Sequence, residues 1–190
     1  MRLKLAALPV AALVALAAPA FAQSHDAPPP PSQPVVTSVP PAKDADVATI
    51  DGLMAALYDV ISGPAGQARD FNRMRSLFIP GGRMMPVGGK TKDQVGIRLL
   101  TVNDYVASSG PLLLEKGFHE KELARKTEQF GNIANVFSTY EAKIDKDNLT
   151  LRGINTLQLM NDGKRWWVVS LMWQPETPEL KLPAEYLPKP

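Results

Sequence analysis

The chain has 190 residues, with 21 Lys and Arg against 19 Asp and Glu, two His and no Cys. Without cysteine there are no disulfides and no thiolate zinc sites, and His25 and His119 alone cannot make a histidine-rich metal site. No run of Lys and Arg offers the clustered charge that nucleic acid requires, so nucleic acid is not an expected partner and no cofactor is expected.

Arg2 and Lys4 precede an apolar run over residues 5–18, and Ala20-Phe21-Ala22 follows as a small-x-small site. This is the layout of a signal peptide over 1–22, cleaved after Ala22, with the mature chain periplasmic or secreted. The apolar run is too short to span a bilayer stably, so no membrane insertion is expected after cleavage. Cleavage removes Arg2 and Lys4 and leaves 19 charges of each sign. A neutral chain of this kind is poorly suited to an anionic membrane surface. Residues 23–44 are dominated by Pro, including Pro28-Pro29-Pro30-Pro31 and Pro40-Pro41, and read as an extended spacer.

A single domain is expected over 45–176. Val47, Ile50, Leu53, Met54, Leu57, Tyr58 and Ile61 recur at helical spacing, with Asp46 placed to cap the start and Ser62-Gly63-Pro64 to end it. Phe71, Met74, Leu77 and Phe78 predict a second helix over 68–78. Short strands follow over 83–87 and 95–101. A third helix, capped by Thr101 or Asn103, is expected to break or bend at Gly110-Pro111. Four long strands over 118–130, 133–144, 149–160 and 164–174 are separated by turns at Gly131-Asn132, 145–148 and Asp162-Gly163. Residues 177–190 form an extended Pro-rich tail. Helices followed by an antiparallel meander give an α+β class.

Several of these segments resemble known strands. Gly117-Phe118-His119-Glu120-Lys121-Glu122 and Phe130-Gly131-Asn132-Ile133-Ala134-Asn135-Val136-Phe137-Ser138-Thr139-Tyr140-Glu141 resemble the long paired strands of bacterial nuclear transport factor 2-like proteins. Arg152-Gly153-Ile154-Asn155-Thr156-Leu157-Gln158-Leu159 and Trp166-Trp167-Val168-Val169-Ser170-Leu171-Met172-Trp173-Gln174 look like the last two strands of the same group, which includes SnoaL-like and ketosteroid isomerase-like proteins. The resemblance implies a cone: N-terminal helices packed on a curved, mostly antiparallel sheet. A fold that hosts isomerases, dehydratases, cyclases and proteins without assigned activity fixes none of these functions.

The turns set a register. Two-residue loops at Gly131-Asn132 and Asp162-Gly163, and a four-residue loop at 145–148, put Arg125, Ser138, Asn155 and Ser170 in one row across four strands. Side chains alternate between faces, so all four share a face. Flanking rows on that face are mostly apolar, among them Thr127, Val136, Leu157 and Val168, and Leu123, Tyr140, Gly153 and Met172. A polar stripe in an apolar surface reads as a ligand pocket for a small, partly apolar molecule, with Arg125 suited to an anionic group. The same register places Glu122, Glu141, Arg152 and Trp173 on the opposite face, with Glu141 pairing Arg152. The helices cover one face only, so a homodimer through the outer face is expected.

The register puts no Asp or Glu on the central inner rows, so a carboxylate base of the ketosteroid isomerase kind is not expected. His119 lies near the rim, and Tyr58, Tyr105 and Tyr140 fit either as donors or as core. The leading expectation is therefore an exported ligand-binding or interaction module with pocket candidates Arg125, Ser138, Tyr140, Asn155, Ser170 and His119. An isomerase, dehydratase or cyclase-type enzyme is the first alternative. A structural interaction protein with a filled cone is the second.

Overall fold

The computed structural model describes residues 38–91 and 94–189. The segment expected to be a signal peptide and most of the expected spacer lie outside these residues. The N-terminal helical pattern forms two elements, α1 (Asp44–Val47) and α2 (Ile50–Ile61). Thr49 separates them and caps α2, its side chain accepting from the Gly52 N–H at 3.0 Å. Asp46 does not cap. It lies inside α1, is buried, and receives Arg73 Nε at 2.7 Å and Nη2 at 2.9 Å. The Arg73 hydrogen bonds hold the Asp46 carboxyl below the usual carboxylate range, against the opposing pull of burial. Arg73 belongs to α3 (Phe71–Leu77) and also reaches Asp59 of α2, so one guanidinium ties three helices together.

The sheet starts earlier and runs longer than expected. The first strand, β1 (Phe78–Thr91), spans the Gly88-Gly89 region, and β2 (Gln94–Ile97) and β3 (Leu100–Thr101) pair back onto it. The third helical segment, α4 (Val102–Lys116), is opened by a capping box between Thr101 and Asp104. It continues through Pro111 without ending. Burial of Tyr105, Gly110 and Leu113 holds it against the fold despite the lost backbone donor. The meander follows as β4 (Phe118–Phe130), β5 (Ile133–Ile144), β6 (Leu149–Asn161) and β7 (Trp166–Pro175).

The sheet order is β2-β1-β7-β6-β5-β4, antiparallel except for the β1–β7 pair. The helices lay Leu53, Met54, Leu57, Met74 and Leu77 on one face, against Val136, Leu157, Leu159 and Val168 of the strands.

Two irregularities change the expected register. In β4 the pairing shifts between Glu122 and Ala124, so that Glu122 faces Tyr140 while Arg125 still faces Ser138. One extra residue at Leu123 reverses the facing of every residue before it. At the other end, the Asp162-Gly163 turn is four residues wide. The Asp162 carboxylate accepts from the backbone N–H groups of Lys164 and Arg165, both at 2.9 Å, and from Trp167 Nε1 at 2.8 Å. These hydrogen bonds, Trp167's first, pull its pKa down to about 2. The wider turn and a further shift between Gln158 and Leu159 set Asn155 opposite Trp173 and Gln158 opposite Ser170. Ser170 therefore leaves the predicted row.

The outer face carries the chain's own C-terminal segment. The Tyr186 ring lies 5.5 Å from the Phe137 ring, Lys126 Nζ sits 4.5 Å above Tyr186, and Thr139 Oγ1 donates to the Tyr186 carbonyl at 2.6 Å. Arg152 pairs with Glu176 at 2.8 Å at the start of this segment. The expected Glu141–Arg152 ion pair is not made; Glu141 pairs with Lys121 at 2.9 Å instead. Phe130, Ile133 and Phe137 remain exposed beside the segment.

Candidate functional site

Between the helices and the inner face lies a cavity of about 410 Å³. Most of its wall is apolar: Met54, Leu57 and Ile61 from α2, Leu112 and Leu113 from α4, and Ala142, Leu157, Leu171 and Trp173 from the strands. Trp173 stands edge-on to Tyr105 of α4, with 6.1 Å between ring centroids. At the mouth Lys116, from the last turn of α4, pairs with Asp147 of the β5–β6 turn at 2.9 Å.

The polar groups inside are few. Glu120, Tyr58, Tyr105, Tyr140, Ser109 and Asn155 supply them. Glu120 is inside because of the extra residue at Leu123, which turns Phe118, Glu120 and Glu122 inward. Asn155 Nδ2 donates to Glu120 Oε1 at 3.1 Å and to the Tyr58 hydroxyl at 3.3 Å. Tyr58 and Ser138 are 2.6 Å apart, and Ser138 Oγ donates to Glu122 Oε1.

Among the described residues no cation pairs with Glu120. Its surface is half-buried because it faces the cavity, yet protein surrounds it closely enough that loss of water dominates. Burial raises its pKa from 4.5 to about 7, and the Asn155 hydrogen bond opposes this only in part. Burial likewise raises the phenols of Tyr58, Tyr105 and Tyr140, and the charge of Glu120 adds to the effect on each. A carboxyl that changes charge near neutrality among apolar walls and un-ionised phenols can hold, give or take a proton.

In sequence, no protein-family model and no curated protein matches the chain. In structure, it superposes on a candidate dehydratase of the NTF2-like family from Streptomyces avermitilis. The TM-score is 0.52 at 15% identity, over 70% of this chain and 98% of that one. A protein of unknown function with a cystatin-like fold from Nostoc punctiforme gives a TM-score of 0.50 at 12% identity, over 70% and 92%. The fold is nuclear transport factor 2-like. A candidate ketosteroid isomerase from Parabacteroides distasonis also aligns, with a TM-score of 0.45 at 10% identity over 69% and 91%.

Within this nuclear transport factor 2-like cone the six residues singled out from sequence separate into three groups. Tyr140 and Asn155 line the cavity, and Ser138 lies buried behind Tyr58. Arg125 is on the predicted face but outside the cavity lining. Its Nη2 pairs with Asp51 of α2, its Nε lies 3.5 Å from Glu122, and its Nη1 is buried without a partner. His119 and Ser170 do not line the cavity. The reversed facing turns His119 outward, where Nε2 contacts Asp145 at 3.1 Å, and Ser170 is displaced by the two shifts around the β6–β7 turn.

Glu120 is the residue that sequence reasoning missed. A signal was present. Phe118 and Leu123, the two large apolar residues at the start of β4, lie an odd number of positions apart, so an unbroken strand cannot point both the same way. Among the described residues no group of three or more His, Cys, Asp or Glu is arranged to hold a metal, and no helix is long and apolar enough to cross a membrane.

Proposed function

We propose that this chain binds a small, largely apolar molecule in the cone, with one oxygen function of that molecule held against Glu120. The supporting observation is the Glu120 carboxyl, which no cation pairs among the described residues, deep in a mostly apolar cavity of about 410 Å³. The ligand class follows from the walls. Aliphatic and aromatic side chains favour a hydrocarbon body, while Glu120, Asn155 and the phenols serve one polar end. An anionic group meets a carboxyl rather than Arg125, so the ligand's polar end is neutral. Action outside the cytoplasm, after loss of residues 1–22, is part of the proposal and rests on the signal-peptide pattern alone.

A second reading, acid–base catalysis, is favoured by the position of Glu120 near pH 7. In that reading its carboxylate takes a proton from carbon beside a carbonyl and returns it. Native mass spectrometry of the full chain from its own cells tests the first reading: an added mass in the range of a small molecule is expected, and bare chain in every preparation would sink it. The same spectrum counts copies, two supporting the proposed homodimer and one opposing it. Catalysis is tested by NMR, with α-tetralone in deuterated water. Exchange of its α-hydrogens by wild type and not by Glu120→Gln is the expected result, and equal exchange by both would remove Glu120 from that role.

A further inference from the structure

The protons of the inner polar row can be assigned one at a time. Glu122 lies against the Arg125 guanidinium and, as a carboxylate, only accepts. Ser138 has one hydroxyl proton and gives it to Glu122. The 2.6 Å contact between Ser138 and Tyr58 must then be made with the Tyr58 proton. The Tyr58 oxygen in turn accepts from Asn155, whose other amide proton goes to Glu120. The protons of Ser138, Tyr58 and Asn155 are thus spent within the protein, and the Tyr58 proton points toward β5, away from the cavity.

Tyr140 differs. Its hydroxyl has no hydrogen-bond partner among the described residues, and it is not among the buried polar atoms left unsatisfied, so it opens on the cavity it lines. Tyr105, on the α4 wall and edge-on to Trp173, has no hydrogen-bond partner among the described residues either, but nothing like the bare Cα opposite Tyr140 fixes its direction. The direction of Tyr140 depends on the residue opposite it on β6, Gly153. A Cβ on Gly153 would stand 2.4 Å from the Tyr140 hydroxyl oxygen, 2.6 Å from its Cζ and 2.4 Å from the Gln174 carbonyl oxygen. The phenol thus lies across a bare Cα, in space that any side chain would take.

We propose that Tyr140 is the donor to the oxygen of the bound molecule, that Gly153 aims it, and that Tyr58 is a positioning residue with no proton to offer. This assignment rests on the cavity being the functional site and says which of its phenols makes contact.

The test uses α-tetralone, a bicyclic ketone whose only polar atom is an acceptor, with the full chain carrying 13Cζ-tyrosine and 13Cδ-glutamate. On saturation the Tyr140 signal is expected to move and the Tyr58 signal to stay. Tyr140→Phe should weaken binding about tenfold, the scale of one hydrogen bond, and Tyr58→Phe less than about threefold. Gly153→Ala, where it folds, should behave like Tyr140→Phe. The labelled wild type decides the matter even if a variant does not fold. Movement of Tyr58 with loss of affinity in Tyr58→Phe, and neither effect at Tyr140, would overturn this assignment and leave the cavity reading intact. If neither the tyrosine signals nor the Glu120 carboxyl signal responds, the ketone is not in the cone and both readings fall.

Discussion

Glu120 and Glu122 sit two residues apart on β4, face the same way and share one hydrogen-bonded row, yet their surroundings differ. Around Glu122 the inner face is filled: Arg125 lies beside it, Ser138 donates to it, and Asp51 of α2 closes the cluster from outside. Around Glu120 the face is open, the walls are mostly apolar, and Asn155 is the one side chain among the described residues that donates to it. A carboxyl becomes responsive near neutral pH when burial is not matched by a cation, and this sheet has one position of each kind. One end of the cone is a structural ion cluster; the other is where a ligand's polar group can compete for partners.

The largest effect that would sharpen this contrast is a slope in stability with pH. Below about 4.5 Glu120 holds its proton in both folded and unfolded chain. Between 4.5 and about 7 the unfolded chain loses it and the folded chain keeps it, so rising pH favours unfolding. The cost is complete above about 7, on the order of 3 kcal/mol. Urea denaturation from pH 4 to 8 should show this fall in wild type and not in Glu120→Gln. The same fall in both proteins would mean that Glu120 is not the group responsible.

Next in size is Arg125→Ala, which leaves Glu122 without its guanidinium and opens a gap under α2. A loss of about 2 kcal/mol is expected by denaturant unfolding, with α-tetralone affinity unchanged. A weakened affinity would return Arg125 to the ligand site and dissolve the distinction between the two ends. The smallest effect belongs to Lys116→Ala at the cavity mouth. That pair is partly exposed on both sides, so its removal should barely move the unfolding midpoint, and less still at high salt. A larger loss, insensitive to salt, would mark the mouth as a structural closure.

Fold class and element order were legible because they rest on patterns many residues long: the 3.6-residue spacing of α2 and the four strands between clear turns. The Arg125–Ser138 and Ser138–Asn155 pairings were legible because the Gly131-Asn132 and 145–148 loops have the expected lengths. The site itself was only half legible, because face assignment depends on single residues. His119, Glu120, Lys121 and Glu122 are all polar, so the odd spacing of Phe118 and Leu123 was the one hydrophobic sign of a change of facing, and nothing between them placed it. Ser170 was lost for a different reason. Asp162 offers its side chain to three N–H groups, and that local chemistry prefers a wider turn than Asp-Gly alone suggests. The outer face was read as needing cover, from a second copy, because a Pro-rich tail gives no periodic signal of where it lies; Tyr186 on Phe137 is visible only in three dimensions.

The place of β7 in the sheet has a consequence for how the molecule is made. It lies between β1 and β6, and its parallel pairing with β1 sets Phe78 against Val168. Strands β4 to β7 can assemble from neighbours through short turns. The helical half and β1 must instead wait for the last strand and close a long loop to reach it. Such distant pairings slow folding. Because the cavity takes one wall from α2 and α4 and the other from β4 to β7, it comes into being only at that closing step. A bound molecule would then act on the slowest part of the folding route, favouring the closed product by mass action.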